Sequence, residues 1–315
     1  MKLRAVVALY VAFRRSAGAD FRSSERLLAT FCRAAGDEAK VADVGEEQVA
    51  AFLRGNGTFT RYWHRKHSAL LGFYRYAVSR GYANQLPMPT VVPKQPPAVV
   101  PYIYSQDELR RLLDATERYR KHQFLLEPRT FRTLLLLLYG AGLRGCETRQ
   151  LKLSDVDTAA AMLTIRDTKF YKTRLVPLGC DLNGAIADYA EWRLAVHPLR
   201  NREECFFVDR NGAPLRDYAV RRAFADLRIA AGVMRNDGAR YQPRLHDLRH
   251  SFTVDRLTAW YREGKDVQKL LPALSTYLGH ISVAATQVYL TMTPELLRQA
   301  CRRFERYIFG EGGHE

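Results

Sequence analysis

The chain has 315 residues, long enough for two domains, and 47% of them are hydrophobic, which excludes wholesale disorder. Its 49 Lys and Arg against 33 Asp and Glu leave a formal net charge of +16, an excess that favours a polyanionic partner, most commonly nucleic acid. The charge is densest at the start: residues 1–101 hold 15 basic and 7 acidic side chains, a net of +8 in under a third of the chain. Five widely spaced cysteines with no C-x-x-C motif suggest neither a disulfide framework nor a zinc cluster, and point to a reducing, cytoplasmic setting.

Lys2 and Arg4 precede an apolar run, Ala5 to Phe13, as in a signal peptide, but Arg14 and Arg15 follow directly, so a helix is the expectation here. No run approaches the ~20 apolar residues of a membrane span. Ser24 is placed to cap a helix running to about Ala35 and ended by Gly36. Glu46–Arg54 is a second helix, stopped by Gly55 and Gly57. The longest covers 58–80, with Tyr62, Leu70, Phe73 and Ala77 as its expected buried stripe. Arg61, Arg65, Lys66, Arg75 and Arg80 decorate it; beside DNA such side chains neutralise phosphates.

The segment LPMPTVVPKQPPAVVP, residues 86–101, carries six of the 13 prolines. Proline blocks helix and removes ladder donors, so this reads as an extended linker. The expected division is a helical domain over 1–90, a Pro-rich linker over 91–101, a second domain over 102–293 and a tail helix over 294–315. Ser105–Glu108 is a capping box. Phe131–Tyr139 is a very apolar helix ended by Gly140 and Gly142. Strands are expected at Met162–Ile165, Arg174–Leu178 and Cys205–Val208, with a turn at Asn211-Gly212. From about Tyr218 the pattern is helical, so the fold class is mainly α with a small β-sheet (α+β). In the tail, Leu296, Leu297, Cys301, Phe304 and Ile308 recur at helical spacing.

Four segments carry candidate chemistry. In G-A-G-L-R-G-C-E, Arg144 follows a buried helix and two glycines, where rigid neighbours would aim its fork at one phosphate. In T-K-F-Y-K-T-R-L-V-P-L, Lys169 and Lys172 sit in a basic turn between two strands. In R-L-H-D-L-R-H, His246 and Arg249 are three apart and share a helix face, pairing a titratable imidazole with a permanent cation. In Y-L-G-H-I-S-V-A-A-T-Q-V-Y, Ser282 is placed to cap a short helix that carries Tyr289 about two turns later.

The order and spacing of Arg144, Lys169, His246, Arg249, Gly279-His280 and Tyr289 resemble the tyrosine recombinase (phage integrase) family, over nearly the whole chain. The hairpin departs from the family's common Gly-Lys-Gly-type turn; counting back from Val176-Pro177-Leu178 selects Lys169, with Lys172 as its competitor. The resemblance implies a helical core-binding (SAM-like) domain joined to a catalytic domain, forming a clamp around double-stranded DNA with a specific recombination site. It implies that Tyr289 attacks a phosphate and displaces the 5′ oxygen, leaving a 3′-phosphotyrosyl link. Arg144, Arg249 and His280 would hold the phosphate oxygens, Lys169 would protonate the leaving oxygen and His246 would help move the tyrosine proton. No cofactor or metal is called for, and neither a phosphate-cradling G-x-x-x-x-G-K-[ST] loop nor an acidic cluster for a metal pair occurs. The family's tail helix packs on a neighbouring protomer, which implies a dimer on one site and a tetramer in the synapse; packing on its own domain is the alternative. The competing functions are type IB topoisomerase-like relaxation, which shares this chemistry without exchanging strands, and DNA binding by a decayed recombinase. Every catalytic position holds a competent residue type, which argues against decay.

Overall fold

A computed structural model describes all residues except 56–58, 98, 120–125, 167–172, 199–200, 202, 293 and 310–315, and leaves the side chains of 291 and 303–309 undescribed as well. The chain divides into two compact units, Met1–Ala98 and Val99–Glu315.

The first unit is helical: α1 (Leu3–Ser16), α2 (Arg22–Ala35), α3 (Glu46–Arg54) and α4 (Arg61–Ser79). Helix α1 places Leu3, Val6, Val7, Tyr10 and Val11 at the i, i+3, i+4, i+7, i+8 spacing of one face, and all are buried. They meet Leu28 and Phe31 of α2, Val49 and Leu53 of α3, and Leu70, Phe73, Tyr74 and Ala77 of α4. Helix α2 starts two residues before the expected cap: Phe21 takes the N-cap position, its ring edge-on against Tyr10 at 5.3 Å. That aromatic contact, which local capping preference does not register, sets the start, and Ser24 lies inside the helix. Tyr62 was expected in the buried stripe and is instead 51% exposed; Tyr74 takes its place.

The second unit opens with α5 (Gln106–Glu117), whose Ser105–Glu108 capping box forms as expected. Its centre is α6 (Pro128–Gly140), where Phe131, Leu134, Leu135, Leu137 and Leu138 are all buried. A helix apolar nearly all round must be covered on several sides. Helices α5, α8 (Cys180–Val196) and α10 (Asp247–Arg262) pack against it. Between α6 and α8 lie α7 (Gly145–Gln150) and an antiparallel sheet in the order β1 (Val156–Asp157), β2 (Met162–Ile165), β3 (Arg174–Pro177). Leu163 pairs with Val176 and both point into the core, while Ile165 pairs with Arg174 at the end of the ladder. Cys205–Val208 does not form the expected strand: its ends make only single bridges, Cys205 to Lys152 and Val208 to Pro214. Gly212 then turns the chain at φ 75°, as the Asn-Gly pair requires.

The remaining elements are α9 (Asp217–Ala230), α11 (Val267–Leu278), α12 (Ala284–Gln287), a 3₁₀ turn at Val288–Thr291 and α13 (Pro294–Phe309). Leu296 at the start of α13 is buried with Phe252, Leu257 and Tyr289 of its own chain, and Arg262 pairs with Glu295 at 2.9 Å. Leu297 is 45% exposed and Cys301 is exposed; the side chains of Phe304 and Ile308 lie outside the described set. Among the described residues no helix is long and apolar enough to cross a membrane.

Candidate active site

The site is organised by the C-terminal end of α11. The last carbonyls of a helix have no intrahelical partner and carry the negative end of its dipole, so they attract cations. Here three consecutive carbonyls each take a different arginine. Tyr277 O accepts from Arg174 Nε at 2.8 Å, Leu278 O from Arg249 Nη2 at 2.6 Å, and Gly279 O from Arg144 Nη2 at 2.7 Å. Gly279 ends the helix in the left-handed region at φ 66°, and a Cβ there would stand 3.0 Å from Arg174 Nη1 and 3.3 Å from Arg144 Nη1. Only glycine supplies both the turn and the space.

Glu147 binds the same arginines from the other side. Its carboxylate accepts from Arg144 N (2.9 Å), Arg144 Nη1 (2.7 Å), Arg174 Nη1 (3.0 Å) and Arg174 Nη2 (2.8 Å). Burial alone would push its pKa up. The Arg174 hydrogen bonds and charge, reinforced by Arg144, prevail and hold it down at about 2. Arg144 occupies the N-cap position of α7, at the loop that follows α6, and two of its five side-chain donors are used, leaving the others for a ligand.

Arg249 is 2% exposed. A second carbonyl, Gly142 O, accepts from its Nη1 at 2.7 Å, and these bonds offset the cost of burying a cation. Burial, with Arg144 close by, lowers its pKa to about 10, so it stays charged at neutral pH. Gly142 is held at φ 59°, and a Cβ on it would lie 2.4 Å from Phe252 Cδ1.

His280 Nε2 lies 3.1 Å from Arg249 Nη2 and its Nδ1 lies 2.8 Å from Thr286 Oγ1. A guanidinium only donates, so Nε2 accepts and the ring proton sits on Nδ1, donating to Thr286. Burial and the arginine cluster depress the His280 pKa to about 4. In this state the ring orients Arg249 and does not itself donate into the site. Tyr289 lies in the 3₁₀ turn and not in the expected helix, because α12 is a single turn whose N-cap is Val283 and not Ser282. The tyrosine is 4% exposed, with its hydroxyl 2.8 Å from Nδ1 of His250. Burial raises the phenol pKa, opposed by Arg249.

Of the sequence-predicted residues, Arg144, Arg249, His280 and Tyr289 converge here. His246, at the N-cap of α10, lies at the surface with its ring edge-on to that of His250 at 4.8 Å; partial removal of its ring from water, then the Arg249 charge, lower its pKa. Lys169 and Lys172 lie outside the described residues. In the first unit Arg61, Arg65 and Arg75 are exposed. At 100° per residue they fall on one face of α4. Arg61 and Arg65 line a groove of about 610 Å³ with Arg14 and His64. Lys66 turns the other way: its ammonium donates to Phe52 O at 2.7 Å at the end of α3 and stands over the Phe52 ring at 4.8 Å, and burial lowers its pKa. Three residues were missed. Arg174 lies in the K-T-R-L-V-P-L segment and Glu147 three residues past Arg144, where spacing alone assigns them no role, and His250 is four residues past His246, one helical turn along the same face.

Among the described residues no group of three or more His, Cys, Asp or Glu converges to hold a metal. Residues 103–295 match the profile described as the phage integrase family. The chain belongs to that family and is a tyrosine-type site-specific recombinase. It is 36% identical over 307 residues to "Putative integrase/recombinase y4rB" of Sinorhizobium fredii, covering 96% of this chain and 97% of that protein. It is 31% identical over 256 residues to tyrosine recombinase XerA of Thermococcus kodakarensis, covering 79% and 77%. The fold is similar to that of the Tn1549 transposon integrase solved with transposon right-end DNA, at a TM-score of 0.66 and 15% identity over 96% of this chain and 99% of that one.

Proposed function

We propose that this recombinase cuts and rejoins double-stranded DNA at a specific site through a 3′-phosphotyrosyl link on Tyr289. The observation that carries the reading is the α11 terminus, which holds Arg144 and Arg249 beside the buried Tyr289 and His280. A phosphodiester is anionic, and its transition state spreads further charge over the same oxygens. Preformed guanidinium donors meet that charge without reorganising. Arg144 supplies the free donors at the mouth, and Arg249 supplies fixed positive charge beneath them. A bound phosphate raises the pKa of His280, which once protonated donates to an oxygen as well. Lys169, or Lys172 in its place, protonates the leaving 5′ oxygen. Arg61, Arg65 and Arg75 track the backbone from the first unit. The protein acts as a dimer on one site and as a tetramer in the synapse, in integration or excision of a mobile element.

The test is covalent capture. The full chain is incubated with a pool of random-sequence nicked duplexes, and adducts are recovered under denaturing conditions. A captured population with a common sequence, lost in Tyr289→Phe, is expected. Adducts that persist in Tyr289→Phe, or none from the wild type, would overturn the reading. A supercoiled plasmid without the captured sequence should stay supercoiled; its relaxation would point to a topoisomerase.

A further inference from the structure

A phenol is a weak nucleophile until its proton leaves, and the group that takes the proton must touch the hydroxyl. Tyr289 is sheltered from bulk water, so the acceptor must come from the protein. Three imidazoles are near. His280 has both nitrogens engaged: Nε2 accepts from Arg249 and Nδ1 donates to Thr286, so in this tautomer it has no free lone pair. His246 abuts the ring of His250. His250 alone of the three has a ring nitrogen at hydrogen-bond distance from the phenolic oxygen, 2.8 Å, with the rings 5.4 Å apart and tilted by 40°.

We propose that His250 is a further catalytic residue, whose Nδ1 accepts the hydroxyl proton of Tyr289 as the phenolic oxygen bonds to phosphorus, and returns it when the strand is rejoined. This rests on Tyr289 being the nucleophile. In cleavage the Tyr289 oxygen–phosphorus bond forms and the phosphorus–O5′ bond breaks. The departing electron pair goes with the 5′ oxygen, which takes its proton from the general acid, and the tyrosine proton stays on His250. Rejoining runs the same transfers backwards. His250 must therefore rest in its Nε2-protonated form, with Nδ1 as the acceptor.

The surroundings favour that neutral state. The groups facing His250 are His246, Asp247, Arg244 and Arg249, and Tyr289 from the 3₁₀ turn; burial is the largest influence, and His250 stays unprotonated down to about pH 4. Arg249 and Arg144 face Tyr289 and favour the phenolate that develops during attack. At rest the proton belongs to the phenol. Transfer becomes favourable only as the oxygen bonds to phosphorus and loses its basicity, which couples deprotonation to attack.

The experiment uses the full chain and a nicked duplex carrying the sequence obtained by covalent capture. Single-turnover cleavage should fall by about 100-fold or more in His250→Gln, which can accept a hydrogen bond but not a proton, while affinity for the duplex is unchanged. The wild-type rate should fall on the acid side, and that limb should vanish in the variant. With a 5′-bridging phosphorothiolate, whose sulfur leaves without a proton, the His250→Gln loss should persist whereas a Lys169→Ala loss is rescued. Wild-type cleavage by His250→Gln, or its rescue by the sulfur substrate, overturns the proposal. His250→Asn serves if His250→Gln does not fold, and a wild-type profile flat on the acid side overturns it without any variant. Failure of the nucleophile reading is separate: adducts would then survive Tyr289→Phe.

Discussion

Replacing Glu147 by Gln tests the clamp most severely, because that one carboxylate accepts four hydrogen bonds from two arginines. Glutamine keeps the volume, but its amide nitrogen faces donors with a donor, and both guanidinium charges lose their counter-charge. Breaking a buried pair by removing one partner costs about 3–5 kcal/mol. Linkage gives a second figure. A carboxylate whose pKa falls from 4.5 unfolded to about 2 folded contributes about 1.36 kcal/mol per pH unit of that gap, or roughly 3 kcal/mol. Its folded pKa is the lower one, so this stability is complete above about pH 4.5 and is lost as pH falls toward about 2. The unit that contains it spans Val99–Glu315, and for a domain of that size ~3 kcal/mol lowers Tm by about 6–12 °C. Urea unfolding and calorimetry at neutral pH measure the loss. A cycle with Arg174→Met should show coupling of about 1–3 kcal/mol, since removing both members leaves no unpaired charge between them. A Glu147→Gln protein within about 1 kcal/mol of wild type, or strict additivity in the cycle, would refute this account of the clamp.

Gly142→Ala must adopt a left-handed conformation and push Phe252 aside; a loss of about 2–4 kcal/mol in urea unfolding is expected, with slower cleavage because Arg249 loses its carbonyl. Arg249→Lys cannot reach Gly142 O, Leu278 O and His280 together, so single-turnover cleavage should fall by about 10²–10³-fold, and an unchanged rate would contradict the role given to the guanidinium. DNA affinity should rise by up to about tenfold per pH unit between about pH 7 and about pH 5, because a bound phosphate raises the His280 pKa from about 4 and binding then takes up a proton. His280→Gln should lose that slope in anisotropy titrations; retention of the slope contradicts it. The fold should be acid-sensitive: His250 and His280 have folded pKa values near 4 against 6.5 unfolded, so their contribution is complete above about pH 6.5 and is lost as pH falls to about 4, which melting curves across that range would show.

What could be read in the sequence was whatever chain-local chemistry decides. Glu46–Arg54 and the Ser105 box have the expected bounds because an acidic first turn, a terminal glycine and a Ser-x-x-Glu pair act within one helical turn. Gly279-His280 was recognisable as a motif, but its function as a row of carbonyls holding three arginines was not. The Arg174 contact with Tyr277 spans 103 residues, and no local pattern encodes it. Lys66 read as one more basic residue on α4; its direction was decided by the end of α3. Ser24 was misplaced because a tertiary contact, Tyr10–Phe21, outweighed capping preference; Tyr62 fits the stripe's spacing but stands in the first turn of α4, where it is exposed, while Tyr74 further along the same helix is buried. His250 did carry a signal, four residues past His246 on one helix face, and needed only the position of Tyr289 to give it meaning.

The central claim is that the DNA phosphate becomes bonded to Tyr289. Mass spectrometry of the nuclease-trimmed covalent adduct, digested to peptides, locates that bond directly. The account predicts a nucleotide mass on the peptide that contains Tyr289 and its absence in Tyr289→Phe. A nucleotide on any other residue, or an adduct unaffected by Tyr289→Phe, would contradict it.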